Sequence, residues 1–117
     1  MNKYGNRKVE FNGYKFDSAK EMKRYCELKI LERMGHIKDL KVKSMHEIVP
    51  ANPMFRKVEY EDDFSYVENG ETIVEDVKPD FKNYKAEKNY KKTAAYQMFL
   101  VKKKLMYHVH GILVKEV

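Results

Sequence analysis

The sequence predicts an α/β fold of the mixed α+β kind, a small sheet with helices packed against it. Three observations predict it. Alternating apolar residues bracket two Asn-Gly pairs, Asn12-Gly13 and Asn69-Gly70, and Asn-Gly between alternating strands is the strongest short hairpin signal. Two other stretches carry apolar residues at helical rather than strand spacing. The resulting order of hairpin, helix, strands, helix and strand leaves a sheet whose apolar face the helices must cover.

Taken in order, residues 1–10 read as a flexible basic arm. Val9 to Phe11 and Tyr14 to Phe16 form the first hairpin. Ser18, with Glu21 three residues on, makes a capping box, and Met22, Tyr25, Cys26 and Ile30, flanked by Leu28 and Leu31, form a stripe that ends at Gly35. A helix over 18–34 follows. Residues 37–49 lean to strand, and Pro50 to Pro53 break the chain. Val58, Tyr60, Phe64 and Tyr66 alternate toward Asn69-Gly70, and Ile73, Val74 and Val77 return until Pro79. Residues 80–92 are lysine-rich, a loop with some helix. Thr93 caps a second helix that turns Tyr96, Phe99, Leu100 and Leu105 inward. Gly111 precedes a final strand, Ile112 to Val117.

With 117 residues, 43% of them hydrophobic, the chain fills one core and reads as a single domain, 1–117. No apolar run reaches the ~18 residues of a membrane span, the first residues lack a signal-peptide core, and the one cysteine, Cys26, excludes an internal disulfide and a multi-cysteine zinc site. A cytoplasmic protein is expected. The net charge of +6 is unevenly spread: residues 47–76 hold two Lys/Arg against nine acids, and residues 77–104 hold nine against two. Clustered acids repel phosphate, so this is a poor coat for nucleic acid. It suits a nuclease whose carboxylates hold a metal ion while flanking cations hold the polyanion.

A two-residue turn at Asn69-Gly70 sets the register of the second hairpin. Val67 then faces Thr72, Ser65 faces Val74, Asp63 faces Asp76 and Glu61 faces Lys78. Opposed residues have Cβ atoms about 4.5–5.5 Å apart, and like charges there repel. Asp against Asp calls for a cation between them or a proton on one, unless water tolerates the pair on a solvated face. Alternation puts Glu61, Asp63, Asp76 and Lys78 on one face, and Phe64, Tyr66, Ile73 and Val77 on the other. Asp62 and Glu75 fall on that second face and rank as non-ligands.

Asp63, followed after twelve residues by Asp76-Val77-Lys78, resembles the PD-(D/E)XK nuclease signature. The segments Lys3 to Lys8 with Phe16 to Glu21, Gly35 to Leu40, Val74 to Lys78 and Phe99 to Leu105 resemble a phage family of small PD-(D/E)XK proteins. That family, formerly a domain of unknown function, is related to endonucleases and Holliday-junction resolvases. Two departures stand out: Asp62 replaces the motif's proline, and Pro79 to Tyr96 is longer than in short members. The resemblance implies a restriction-endonuclease-like core with flanking helices. It implies Mg²⁺ or Mn²⁺ held by Asp63, Asp76, the Val77 carbonyl and Glu21, with Lys78 acting on the attacking water and the phosphate. Glu21 has a competing role in the capping box. Gln97 resembles a glutamine kept near the site by some members.

The expected substrate is DNA, branched by resemblance only, held by Lys102, Lys103, Lys104, Lys91, Lys92, Arg7 and Lys8. Two cuts in a symmetric junction imply a homodimer. The alternatives are a catalytically silent DNA-binding module, an RNA-directed nuclease and a defence nuclease. Weaker candidates are His108 and His110, two histidines on one strand face but without a third ligand. Tyr84, Tyr90 and Tyr96 serve either as stacking platforms or as core.

Overall fold

A computed structural model describes residues 7–117. It is a mixed α+β structure with three helices. Strands β1 (Val9–Phe11) and β2 (Tyr14–Phe16) form the expected hairpin, so Val9 and Glu10 belong to a strand and the arm does not reach residue 10. Most of the arm, residues 1–6, lies outside the described residues, while Arg7 and Lys8 are exposed.

Ser18 caps α1 (Ala19–Arg33), its side chain accepting from Glu21 N at 3.1 Å. The buried line of α1 is Glu21, Tyr25 and Leu28. Ile30, expected in the stripe, is exposed, so the covered face is rotated to place Glu21 in its first turn. Next come β3 (Lys38–Val42) and β4 (Met45–Val49), then β5 (Val58–Glu61), β6 (Phe64–Glu68) and β7 (Glu71–Asp76). A short helix α2 (Tyr84–Lys91) and the long α3 (Ala94–His110, capped by Thr93) lead to β8 (Lys115–Glu116). The central sheet has the order β3-β6-β7-β8, with β8 parallel to β7 and the other pairs antiparallel. A parallel pair needs a long crossover, which α2 and α3 supply.

The β6–β7 register is the one read from the turn: Val67 opposes Thr72 and Ser65 opposes Val74. Asn69 and Gly70 take positive φ of 51° and 78°, the conformation that turn demands. Both faces of the sheet are covered. Phe64 and Tyr66 pack with Phe16, Tyr25 and Leu28, with Ile73 and Val77 beside them. Val74 packs on the opposite face with Tyr96, Phe99, Met106 and Val114. The face expected to carry Asp63, Asp76 and Lys78 is therefore roofed by α3 rather than open to water, as the alternative of a solvated face required.

Two expectations fail for related reasons. The run 58–67 is two strands, because the chain bends at Asp62 and Asp63 and β5 leaves the central sheet to pair with β4. Glu61 consequently opposes Met45 rather than Lys78. The second helix continues to His110, where Gly111 (φ 70°) ends it, and the last strand shrinks to two residues. His108 and His110 are thus two residues apart on a helix, pointing about 200° apart, and His110 Nε2 lies 2.7 Å from the Glu47 carbonyl. The strand-face metal pair does not exist. No helix among the described residues is long and apolar enough to cross a membrane.

Candidate metal centre

The site is made by a ribbon that bends. β3 pairs with β6 and β4 with β5, and one register runs through both halves: Val42 opposes Phe64, and Met45 opposes Glu61. At the bend, Lys43 therefore stands opposite Asp63 and Ser44 opposite Asp62. Lys43 takes a left-handed φ of 55°, and its N–H donates to the Asp63 carbonyl at 3.1 Å. The buried Asp62 carboxylate fastens the bend, accepting from Ser44 N at 2.9 Å and lying 2.6 Å from His46 Nε2.

Asp63 lies between β3 and β7. The β6–β7 ladder ends at Phe64 opposite Glu75, one residue short of the expected Asp63–Asp76 pair; Asp63 N donates to the Glu75 carbonyl at 3.1 Å, and Asp63 Oδ2 accepts from Val77 N at 2.7 Å. α1 brings the other acids. Asp17, just before the cap, and Glu21, on its buried line, converge on Asp63 so that one carboxylate oxygen from each lies within 4.8 Å of the others. Burial, and then the neighbouring charges of Asp76 and Glu21, push the Asp63 pKa up to about 8. Burial likewise raises Glu21 above the ordinary carboxylate range. Glu21 Oε1 is buried with no hydrogen-bond partner among the described residues.

Lys43 closes the cluster, its Nζ 3.3 Å from Asp17 and 3.7 Å from Glu21. Burial works against its charge, but Glu21, Asp17 and Asp63 outweigh it and hold its pKa above the usual lysine value.

An all-oxygen donor set is what Mg²⁺ and Mn²⁺ take, and Glu21 Oε1, which makes no hydrogen bond among the described residues, is the atom such a cation would satisfy. The residues fit the ion, and the expected ligands Glu21 and Asp63 are among them. Asp76, expected as a ligand with Asp63, has both oxygens engaged: Oδ2 by the Tyr60 hydroxyl at 2.7 Å and Oδ1 by Lys78 Nζ at 2.8 Å. Asp17 is the third member of the convergent trio, and Val77 meets Asp63 through its N–H.

A model of the family described as "Protein of unknown function (DUF1064)" matches residues 1–111. This chain belongs to the DUF1064 family. No curated protein and no solved structure matches it significantly.

The remaining sequence-predicted residues of this DUF1064 chain are placed as follows. Lys78 is a well-held ammonium, paired with Asp76 and lying 3.2 Å above the centroid of the Phe99 ring, while its carbonyl accepts from Lys20 Nζ at 2.7 Å. Beside it opens a groove of about 520 Å³ whose lining includes Lys20, Lys23, Arg24, Val77 and Asp80. Gln97 is exposed, and its amide donates to the Lys91 carbonyl, tying α3 to the end of α2. Of the lysine run, Lys103 is paired with Glu116 at 2.6 Å and Lys104 is exposed. Lys91 and Lys92 lie with the exposed Tyr84 along α2. Tyr96 is core, and Tyr90 stacks between it and Phe81.

Glu75 is fully buried, bonded by Arg24 at 2.8 and 2.6 Å and by the Tyr66 hydroxyl. Sequence reasoning missed Asp17 and Lys43. Asp17 had a legible cue, an acid beside the cap and one turn before Glu21. Lys43 had none, because the β3–β6 register depends on a loop too long to fix it.

Proposed function

We propose that this protein is a Mg²⁺- or Mn²⁺-dependent DNA endonuclease with a restriction-endonuclease-like PD-(D/E)XK core, acting on branched DNA in preference to plain duplex. One observation carries the reading: the carboxylates of Asp17, Glu21 and Asp63 converge within 4.8 Å of one another, and the buried Glu21 Oε1 makes no hydrogen bond among the described residues, its nearest cation being Lys43 at 3.7 Å. Folding offers no reason to gather acids at such a point, since each raises the cost of ionising the next.

A bound cation would supply positive charge to a phosphodiester oxygen and acidify water. Asp17, Glu21 and Asp63 would hold it. Asp76, the last residue of β7, holds the Lys78 ammonium at 2.8 Å, where it would offset charge growing on the phosphate as the ester bond breaks. Lys23, on the groove wall, and the α2 lysines would hold the flanking backbone. A symmetric four-way junction would require a homodimer.

A second reading has its own observation. Lys43 already lies against Asp17 and Glu21, so the acids are partly balanced without a metal, as a silent DNA-binding module would need. The deciding experiment incubates linear, nicked, flapped and four-way DNA with Mg²⁺, Mn²⁺ or EDTA. The nuclease reading expects metal-dependent cleavage, a single-turnover rate at least ~10² lower in Lys78→Ala, the scale for one lost electrostatic donor, and only slightly weaker binding. Binding without cleavage in any metal would establish the silent module.

A further inference from the structure

We propose that the loop joining β4 to β5 is a stacking wedge, which enters DNA where the base stack is interrupted. The inference rests on the proposed DNA-directed function and adds the element that senses branching. At the tip of the bent ribbon, Met54 and Phe55 are 80% and 69% exposed, among the most exposed large apolar side chains of the molecule. They are displayed by a built loop. The Asn52 side chain accepts from Met54 N at 2.8 Å and Phe55 N at 2.9 Å, and Asn52 N donates to the Phe55 carbonyl at 3.0 Å. Pro50 and Pro53 stiffen the approach.

Charge selects the occupant. The segment 47–76 is acidic as a whole, and Glu47 opposes Glu59 on the strands below the loop, but the tip itself, residues 50–58, contains Arg56 and Lys57 and no acid, so positive charge is confined to the wedge. Lys57 leans 3.5 Å from Glu59, whereas Arg56 has no ion pair among the described residues. Phe, Met and Pro beside a free cation are what DNA-kinking proteins insert between base steps, and an aromatic face stacks on any base that has lost its neighbour. An apolar protein partner would be opposed by the desolvation of Arg56.

Position gives a further consequence. Phe55 precedes Asp63 by eight residues, so at ~3.3 Å per residue the wedge stands at most ~26 Å from the acids. At 3.4 Å per nucleotide step that is about eight steps, so cuts should fall within about eight nucleotides of the discontinuity.

The test uses binding, which needs no catalysis. The full chain carrying Met54→Ala and Phe55→Ala is titrated in EDTA against an intact duplex, a flap and a four-way junction, each bearing 2-aminopurine beside the discontinuity or mid-duplex. Both substitutions are on an exposed loop, and an unchanged melting temperature verifies the fold. The expected result is unchanged duplex affinity, roughly tenfold weaker binding to the flap and junction, and loss of the 2-aminopurine fluorescence rise that wild type produces. Equal affinity of wild type and variant on all three substrates, or an equal loss on all three, would overturn the wedge while leaving the nuclease reading intact. Failure of wild type to bind any DNA would overturn both.

Discussion

Asp63 ionises in an unusual setting, and its titration should be visible in the stability of the whole protein. Unfolded, it loses its proton near the ordinary 3.8; folded, near 8. Between those values the native state keeps a proton that the unfolded chain has released. Stability is therefore highest below the unfolded value, falls as pH rises from about 4 to about 8, and then levels off. Glu21 and Asp62 are raised as well and add the same sign. Scanning calorimetry in EDTA should show the melting temperature falling across this window, and Asp63→Asn should remove most of the slope. Lys43 makes a second, opposed prediction. Lys43→Met should lower the metal-free melting temperature, because Asp17 and Glu21 lose their nearest cation, yet tighten Mn²⁺ binding measured by calorimetric titration. Weaker Mn²⁺ binding in that variant would make Lys43 an organiser of the trio rather than a competitor for its charge.

At the scale of elements, α1 is fastened to the sheet by a charge pair as well as by packing. Arg24 grips Glu75 through two nitrogens, and Glu75 has no exposed surface, while Arg24 keeps about a quarter of its own. Arg24→Met would leave a buried carboxylate answered only by Tyr66, a change costing on the order of 3 kcal/mol. Urea denaturation should register it, and adding Glu75→Gln should recover part of the loss. Because α1 also carries Asp17 and Glu21 to the metal centre, the same variant should weaken the melting-temperature rise produced by Mn²⁺. The ribbon bend is the other element that builds the site. It was invisible as a bend in the sequence, where Val58 to Tyr66 alternates as though the strand were continuous.

For the molecule as a whole, the basic segment 77–104 is split between structural and free cations. Lys103 is committed to Glu116 and Lys78 to Asp76; Lys92 and Lys104 are exposed. Replacing Lys92 and Lys104 by Ala should weaken binding to every DNA alike and flatten the log–log salt dependence by about 0.9 for each phosphate no longer neutralised. Fluorescence anisotropy between 50 and 200 mM salt, the range over which such charges are screened, would measure it. Lys103→Ala should instead lower the melting temperature, since it strips Glu116 beside the parallel β7–β8 pair.

What was legible in the sequence follows from how local each determinant is. The Asn69-Gly70 turn set the β6–β7 register from Glu68 opposite Glu71 back to Phe64 opposite Glu75, because a two-residue turn leaves one pairing. Ser18 and Thr93 marked helix starts because capping is settled within three residues. Spacing gave Glu21 only its place in the capping box, and its place at the site came from the family resemblance; the stripe was misread at Ile30, which is apolar and yet faces water. Only the tertiary structure decided that the sheet is covered on both faces, that β5 leaves it, and that Asp17 and Lys43 meet Glu21 and Asp63. Each of these depends on packing between segments far apart in the chain. The register of β3 against β6 spans the long β4–β5 excursion, and α1 reaches the sheet only once its rotation is set by packing. Local propensity fixes neither, so Glu21 and Asp63 could be singled out in the sequence, but their convergence with Asp17 could not.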